Sequence, residues 1–235
     1  MLLGEAHRGS VTSMDEISFG KWYYDRFAPV YDWLSPDRYY SRARLYAIEQ
    51  LLLQPQQTVL NVPCGTGQNF QYFQRYLAGS GRIIGVDLSS GMLAQAQGKI
   101  DKHEWANIEL YTEDVRQLTP AWLADKVGNG QPVTVDAVLC DLGLSGFPDW
   151  QQVIDQLLTM LKPGGRFVVM DWYLEKVTLR GRFVEWIGKG EVTRPIYQYV
   201  ADRVDNFQLE QSFNRGGVFV AAGDAMTQTS GQRRE

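Results

Sequence analysis

The stretch Val59-Leu60-Asn61-Val62-Pro63-Cys64-Gly65-Thr66-Gly67, followed later in the chain by Gly85-Val86-Asp87, decides the fold of this protein. The first stretch is an apolar strand that runs into a glycine turn, and residues 68–77 then predict a helix. Its two glycines let the backbone approach a ligand at the helix N-terminus, where unpaired N–H groups favour a polar or negative group. Asp87 ends the next apolar strand, and an acidic side chain there suits the hydroxyls of a ribose. This order predicts an adenosine-binding βαβ unit.

The glycine pattern separates two kinds of adenosine cofactor. A dinucleotide site needs a third glycine three positions after the second, and that position is Phe70, whose ring argues against a pyrophosphate. The run Cys64-Gly65-Thr66-Gly67 instead resembles the first motif of class I S-adenosylmethionine (SAM) methyltransferases. Leu161-Lys162-Pro163-Gly164-Gly165-Arg166 is similar to the turn before the fifth strand of that family. A generic nucleotide-binding α/β domain is the alternative.

The chain around these motifs alternates between predicted strands and helices, which indicates a parallel sheet covered on both faces. The predicted strands are 58–63, 82–87, 108–112, 134–141 and 166–172, and the predicted helices are 68–78, 91–100, 120–127 and 150–161. A helical stretch, 177–204, precedes a predicted β-hairpin formed by 207–213 and 218–222. The resemblance implies a Rossmann-like α/β fold with a seven-stranded, mostly parallel sheet, a C-terminal antiparallel hairpin and the strand order 3-2-1-4-5-7-6.

The sequence divides into four segments. We expect a flexible N-terminus at 1–15, an aromatic helical lid at 16–56, the SAM-binding methyltransferase domain at 57–226 and a flexible tail at 227–235. Within the lid, Pro29 and Pro36 are expected to end helices, since proline removes a backbone donor and clashes with the preceding turn.

The composition of the chain limits the binding partners and the cellular compartment that we expect. The 235 residues suffice for one α/β domain, and a net charge of −4 offers no basic face for nucleic acid. No apolar run approaches the ~20 residues that cross a bilayer, and residues 1–13 do not resemble a secretory signal. We expect a cytoplasmic monomer or homodimer that acts on a small molecule or lipid, with peripheral contact at the inner membrane left open. The only cysteines, Cys64 and Cys140, favour reduced thiols over a disulfide, and no cluster has metal-ligand spacing.

The resemblance assigns the cofactor contacts residue by residue. Gly65 and Gly67 would approach the methionine part of SAM, and Asp87 would bind the ribose. Asp114 would accept the adenine amino group while the Val115 backbone meets the ring edge, the alternative being an aspartate that starts a helix. The thioether of Met92 would cover the adenine or simply pack in the core. The whole set comprises Asn61, Pro63, Gly65, Gly67, Asp87, Leu88, Met92, Asp114, Val115 and Cys140.

Two positions depart from the family's pattern. Asn61 stands where such proteins usually carry an aspartate that helps to hold the methionine amine, so one negative charge is missing. Pro63 replaces the first glycine of the common Gly-x-Gly-x-Gly, which forbids positive φ and removes one N–H donor.

Methyl transfer from a sulfonium asks little of the protein beyond aligning a nucleophile and excluding water. Neither His7 nor His103 is placed to act as a base. Asp141, at the end of the fourth predicted strand, is the expected catalytic acid group: it would orient an amine rather than deprotonate it, the alternative being a cap on the next segment. Asp171, at the end of the fifth strand, supports a weaker version of the same argument.

The N-terminal region is rich in aromatic residues, which indicates either a packing face or a lid that meets a lipid interface. They are Phe19, Trp22, Tyr23, Tyr24, Phe27, Tyr31, Trp33, Tyr39, Tyr40 and Tyr46. Tyr24-Asp25-Arg26-Phe27-Ala28-Pro29-Val30-Tyr31-Asp32 resembles the N-terminal motif of quinone C-methyltransferases and bacterial phospholipid N-methyltransferases. Tyr23 and Tyr31 are therefore candidates to close the site.

The acceptor is the least constrained prediction. The segment Leu142-Gly143-Leu144-Ser145-Gly146-Phe147-Pro148-Asp149-Trp150 is similar to the phospholipid and betaine-lipid group, which makes an amino phospholipid headgroup the leading expectation. A quinone-ring C-methyltransferase is the first alternative, and a SAM-binding protein without catalysis is the second. Basic residues before the hairpin would meet a phosphate headgroup or form a solvated helix face: Lys176, Arg180, Arg182, Lys189, Arg194 and Arg203.

Overall fold

The structure, a computed structural model, describes residues 12–188 and 190–226. Of the two segments expected to be flexible, 227–235 lies outside the described residues, as do 1–11. The first helix begins at Thr12, and the division of the chain into four segments stays a prediction.

A seven-stranded sheet forms the centre of the molecule. Its strands are β1 (Thr58–Asn61), β2 (Arg82–Asp87), β3 (Ile108–Thr112), β4 (Val135–Asp141), β5 (Leu161–Trp172), β6 (Val204–Phe213) and β7 (Val218–Ala225). Their order is β3-β2-β1-β4-β5-β7-β6, and β7 runs antiparallel to both β5 and β6. The predicted fold, including the strand order and the C-terminal hairpin, is confirmed.

Eight helices accompany the sheet in the described part of the chain. They are α1 (Thr12–Leu34), α2 (Asp37–Glu49), α3 (Phe70–Leu77), α4 (Ser90–His103), α5 (Pro120–Lys126), α6 (Trp150–Leu158), α7 (Leu179–Gly188) and α8 (Ile196–Ala201). The predicted 177–204 stretch is thus two helices separated by a loop.

The sheet has a hydrophobic cluster on each face because its strands alternate between the two. In β1, Val59 packs with α2, α3 and α4, whereas its neighbour Leu60 packs with α5, α6 and α8. Both side chains are fully buried. Successive strand residues point to opposite faces, so a strand covered on both sides is apolar throughout.

The predicted N-terminal lid of 16–56 divides into two parts with different surroundings. Helix α2 packs against β5 and β7, and its residues Ala43, Ala47 and Ile48 are fully buried. Helix α1 packs against α4 instead. Only α1 therefore stands apart from the layers that cover the sheet.

Pro29 does not end a helix, which corrects the expectation from the sequence. It lies inside α1, while Pro36 directly precedes α2 as expected. A proline removes one backbone donor. Pro29 is exposed, and side chains of α1 on either side of it are hydrogen-bonded to the rest of the molecule, so the helix continues past the lost bond.

None of the described helices combines the length and apolar character needed to cross a membrane.

Candidate active site

The glycine turn between β1 and α3 is shaped by close packing against the helix. Gly65 and Gly67 have φ values of +53° and +75°, which side chains rarely adopt. A Cβ on Gly67 would lie 2.5 Å from the ring of Phe70, which is completely buried. The phenylalanine that replaces the third glycine of a dinucleotide site therefore fills the space beneath the turn.

Asp87, at the end of β2, joins the glycine turn to the turn before α4. Its carboxylate accepts hydrogen bonds from the backbone N–H of Gly65 at 2.8 Å and of Ser89 at 2.9 Å. Burial raises the pKa of Asp87 to about 6, although both bonds favour the charged form, and Asp25 and Asp141 raise it further. Asp87, which is predicted to bind the ribose, thus also holds two turns of the site together.

Asp141, at the end of β4, is buried in a network of amide side chains. Its Oδ1 accepts hydrogen bonds from Asn61 Nδ2 at 3.2 Å and from Asn69 Nδ2 at 2.8 Å. Asn69 Nδ2 also donates to Asn61 Oδ1 at 3.1 Å. The charge missing at Asn61 is therefore present one strand away, in direct contact with that asparagine.

Arg44 of α2 faces the other oxygen of Asp141. Its Nη2 lies 3.6 Å from Asp141 Oδ2, and its Nη1 donates to Asp37 at 2.6 Å. The guanidinium is almost completely buried, and its Nε has no hydrogen-bond partner among the described residues. Burial raises the pKa of Asp141 above its ordinary value, whereas Arg44, Asn61 and Asn69 oppose that rise.

Arg44 and Asn69 are site residues that the sequence analysis did not single out. Arg44 was one of several arginines between the aromatic residues, and Asn69 was read as part of a helix. A signal for Arg44 exists, since it shares the face of α2 that carries the buried Tyr40, Ala47 and Ile48. No comparable sequence signal marks Asn69.

Helix α1 is bonded to both turns of the site through two aspartates seven residues apart. Asp25 accepts hydrogen bonds from Ser89 Oγ at 2.7 Å and from the N–H of Gly91 at 2.9 Å. Asp32 accepts a hydrogen bond from Thr66 Oγ1 in the glycine turn at 2.5 Å. Lys99 of α4 lies 2.7 Å from the second oxygen of Asp32. Helix α1 therefore covers both of the turns that should hold SAM.

Two tyrosines of α1, also seven residues apart, face the acidic end of the sheet. Burial raises the pKa of Tyr31 to about 12. The charges of Asp141 and Asp87 contribute to this rise, and the charge of Arg44 opposes it. Burial also raises the pKa of Tyr24, where Asp87 and Asp171 contribute to the shift. The predicted Tyr23 packs its ring 4.3 Å from that of Phe27, and burial alone raises its pKa. Tyr24, which was not among the predicted site residues, therefore lies with Tyr31 at this edge.

The predicted adenine contacts lie beyond the end of β3. Asp114 caps the short 3-10 turn Val115–Gln117, and both its oxygens bond to the guanidinium of Arg116 at 2.9 and 2.5 Å. This is the arrangement of the alternative, an aspartate that starts a helical turn, and an adenine role remains a prediction. Val115 and Met92 are buried, and Leu88 is half-buried.

Three further predicted residues support the site from below. Pro63 follows a cis peptide bond, and its ring lies against Gly143, where an added Cβ would approach it to 2.5 Å. Cys140 is buried, and burial raises the pKa of its thiol. Asp171 accepts bonds from the N–H and hydroxyl of Ser145, both at 2.9 Å, so it fixes the segment after β4.

The basic residues before the hairpin have different surroundings. Arg194 donates to the carbonyls of Ser145 and Phe147, and Arg203 pairs with Asp155 at 2.6 Å. Lys189 lies outside the described residues. Arg180 lines a cavity, which is described below.

The residues at the carboxyl end of the sheet fit SAM. Asn69 Oδ1 is a buried acceptor without a partner among the described residues, beside the carboxylate of Asp141. An ammonium group would satisfy both. A Cβ at Gly65 would meet nothing within 4 Å, so space lies open over the glycine turn. Within the described ranges, no group of His, Cys, Asp or Glu is arranged to hold a metal ion.

The family model and the curated proteins that this chain resembles are methyltransferases. A family model described as a methyltransferase domain matches residues 53–214. A 2-phytyl-1,4-naphtoquinone methyltransferase of Thermosynechococcus vestitus is 25% identical over 166 residues, covering 69% of this chain and 68% of that protein. A demethylmenaquinone methyltransferase of Desulfitobacterium hafniense is 27% identical over 196 residues, covering 77% of this chain and 70% of that protein.

Solved structures show the same fold. The complex of DhpI with SAH is 22% identical, has a TM-score of 0.63, and covers 91% of this chain and 99% of that chain. The geranyl diphosphate C-methyltransferase of Streptomyces coelicolor is 13% identical, with a TM-score of 0.62 and coverage of 79% and 76%.

Fold and site together define a class I SAM-dependent methyltransferase. The chain belongs to the methyltransferase domain family. The predicted class, enzymatic nature and cofactor are thereby confirmed.

Proposed function

We propose that the chain methylates a ring carbon of a quinol that carries an apolar tail. The relatives reported above are named for naphthoquinone substrates of this kind. The observation in this chain that carries the proposal is the buried Arg44–Asp141 pair, whose guanidinium retains an unpaired Nε. The quinone alternative thus takes precedence over the amino phospholipid that the sequence favoured.

Carbon methylation of a phenolic ring requires a deprotonated ring oxygen, because the resulting anion makes the neighbouring ring carbon nucleophilic. A ring hydroxyl placed between Asp141 Oδ2 and Arg44 Nε would donate to the carboxylate and accept from the guanidinium. The raised pKa of Asp141 makes it a better proton acceptor than an ordinary aspartate. Arg44, which stays charged, would stabilise the phenolate until the ring carbon takes the methyl group; that carbon then loses its proton to water, which restores the aromatic ring.

Bound SAM would supply the methyl group from its sulfonium, and the neutral thioether that remains is a leaving group that needs no acid. Asn69 Oδ1 and Asn61 would hold the methionine amine, and Asp87 the ribose. Tyr24 and Tyr31, carried by α1, would exclude water from the reacting atoms, because a dry site strengthens the interaction of Arg44 with the ring oxygen.

The same pair argues against an amine acceptor. An acceptor ammonium group at Asp141 Oδ2, the oxygen that faces Arg44, would meet a like charge at close range, which disfavours its binding. Asp141, the residue expected to orient an amine, already accepts bonds from Asn61 and Asn69 and faces Arg44.

The test is methyl transfer from methyl-tritiated SAM to two acceptors offered separately. One is a chemically reduced naphthoquinol with a short isoprenoid tail, and the other is phosphatidylethanolamine in vesicles. We expect label in the quinol ring, and mass spectrometry should place the added methyl on carbon. Label in the phospholipid, or an unlabelled quinol despite SAM binding by calorimetry, would refute the proposal.

Two variants test the roles of the pair. Arg44→Lys keeps the charge but loses the Nε donor, so we expect kcat to fall by roughly 10²-fold or more while SAM still binds. Arg75→Gln removes an exposed cation from α3 and is the matched control, expected to retain activity. Equal turnover by the two variants would remove Arg44 from the mechanism.

A further inference from the structure

A cavity lies between α2, α7 and the turn that joins β6 to β7. Its volume is about 550 Å³. The residues that line it are Arg38, Tyr39, Arg42, Arg180, Ser212, Phe213, Asn214 and Arg215. Four of these eight are arginines, in a chain whose net charge is −4.

The four arginines of this cavity are not neutralised by the described residues. No carboxylate among those residues lies within 4.0 Å of any of them, although nine other cations of the described chain are paired at that distance. Glu210 precedes the turn, and its carboxylate accepts the N–H of Ser212 at 2.8 Å. The lining is therefore strongly cationic, and it lacks counter-ions within residues 12–188 and 190–226.

The cavity is held in shape by contacts among its own residues. The guanidinium of Arg180 donates to Tyr39 Oη at 2.6 Å and to the carbonyl of Asn214 at 2.7 Å, and it lies 5.0 Å over the ring of Trp172. Asn214 in turn donates to the carbonyl of Tyr39 at 2.8 Å. Arg38 and Arg42, one turn apart on α2, are exposed and face the same space. Three separate elements thus fix cationic groups around one opening.

An apolar face adjoins this cavity on α7. Leu179, Phe183 and Trp186 recur at helical spacing and are 86%, 59% and 61% exposed. The rings of Phe183 and Trp186 stack with centroids 6.3 Å apart. Large apolar side chains exposed together mark an interaction surface. Arg180 belongs to both features, since it lines the cavity and follows Leu179 directly.

We propose that this cavity binds the phosphate of an anionic phospholipid headgroup while the apolar face of α7 enters the outer part of the acyl layer. Arginine forks match phosphate oxygens, and four of them supply the charge that an anionic bilayer attracts. Exposed leucine and aromatic side chains beside basic residues are typical of a helix that lies in a membrane interface. The surface would bring the active site to a bilayer, where a quinol with an apolar tail resides; this last consequence rests on the proposed function.

The test is co-sedimentation with vesicles of phosphatidylcholine alone and of phosphatidylcholine mixed with phosphatidylglycerol. The double variant Arg38→Gln/Arg42→Gln removes two exposed charges of the cavity. The matched control, Arg75→Gln/Lys126→Gln, removes two exposed charges from α3 and α5. We expect the cavity variant to bind the anionic vesicles at least tenfold more weakly than the wild type, and the control to bind as the wild type does.

The apolar face is tested separately by Leu179→Ser/Phe183→Ser, which should weaken binding to both kinds of vesicle and leave the preference for the anionic kind. Calorimetry with free glycerol phosphate distinguishes a soluble anion from a headgroup. The proposal is overturned if the cavity variant sediments like the wild type. It is equally overturned if glycerol phosphate binds while anionic vesicles do not. Vesicle binding needs no methyl transfer, so a failed quinol assay leaves this test intact.

Discussion

The carboxylate of Asp32 accepts a hydrogen bond from the hydroxyl of Thr66, so the N-terminal helix is bonded directly to the glycine turn. Lys99 lies against the same carboxylate and also donates to the carbonyl of Thr66 at 2.8 Å. The turn that should hold the methionine end of SAM is thus stabilised from above by α1 as well as from below by Phe70.

The variant Asp32→Asn should weaken SAM binding by about tenfold, because a charge-assisted hydrogen bond to the turn and an ion pair are lost together. Isothermal calorimetry measures the dissociation constant. Asp125→Asn, which changes an exposed aspartate on α5, is the control and should bind SAM like the wild type. If both variants bind SAM alike, the contact with Thr66 has no part in cofactor binding.

The variant Gly67→Ala should lower the free energy of unfolding by more than Gly79→Ala. Both glycines have nearly the same φ, +75° and +72°, so both alanines incur the same left-handed strain, roughly 1 kcal/mol. At Gly67 the new methyl group must also displace the buried ring of Phe70, which adds about 1–3 kcal/mol, whereas at Gly79 nothing lies within 4 Å. Urea denaturation measures the difference. Equal losses of unfolding free energy in the two variants would show that the ring of Phe70 moves aside at no cost.

The contributions of Asp87 and Asp171 to the stability of the SAM-free protein should fall as pH rises from about 4 to 6. Burial raises the pKa values of Asp87 and Asp171 to about 6, from the ordinary 3.8. Over this interval the unfolded chain releases protons that the folded chain retains, so deprotonation favours unfolding, by on the order of 1–3 kcal/mol per group. Asp87→Asn cannot titrate at this position, and its unfolding free energy should change less over the same interval. A variant that matches the wild-type slope would contradict the assignment.

Cys64 and Cys140 should react slowly with a thiol reagent in the folded protein and rapidly after unfolding. Both are unpaired and buried, and burial raises the pKa of each thiol well above its ordinary value, which suppresses the reactive thiolate. They pack in different hydrophobic clusters, on opposite faces of the sheet. Titration with Ellman's reagent should therefore find two thiols only under denaturing conditions. Fast labelling of the native protein would show that one of these clusters opens readily.

The fold was predictable because its decisive signals are local. The glycine turn, the acid that ends β2 and the Pro-Gly-Gly segment, which was predicted as a turn before the fifth strand and lies inside β5, each span a few residues, and their order along the chain specifies the topology. The helix through Pro29 was not predictable in the same way. Local propensity ends a helix there, and the hydrogen bonds of Asp25 and Asp32 that keep it intact come from residues far along the chain.

In the candidate site, only the residues that end a strand could be placed from the sequence. Asp87 and Asp141 end strands whose positions the sequence reveals, so their meeting at one edge of the sheet could be expected. Arg44 reaches that edge from α2, and Asn69 reaches it from the start of α3. Their contact with Asp141 depends on tertiary packing, which no sequence spacing encodes, and it changes the chemistry expected of that aspartate.

The spacing of Asp25 and Asp32 makes α1 a rigid spacer. Seven helical residues span about 10.5 Å, and the aspartates at the two ends of that span bond to the two turns of the site. While both bonds hold, neither turn can move away from the other, so the two halves of the cofactor site open together or remain closed. The exchange of spent cofactor for fresh should therefore occur in one cooperative step, whose rate is governed by the release of a single helix.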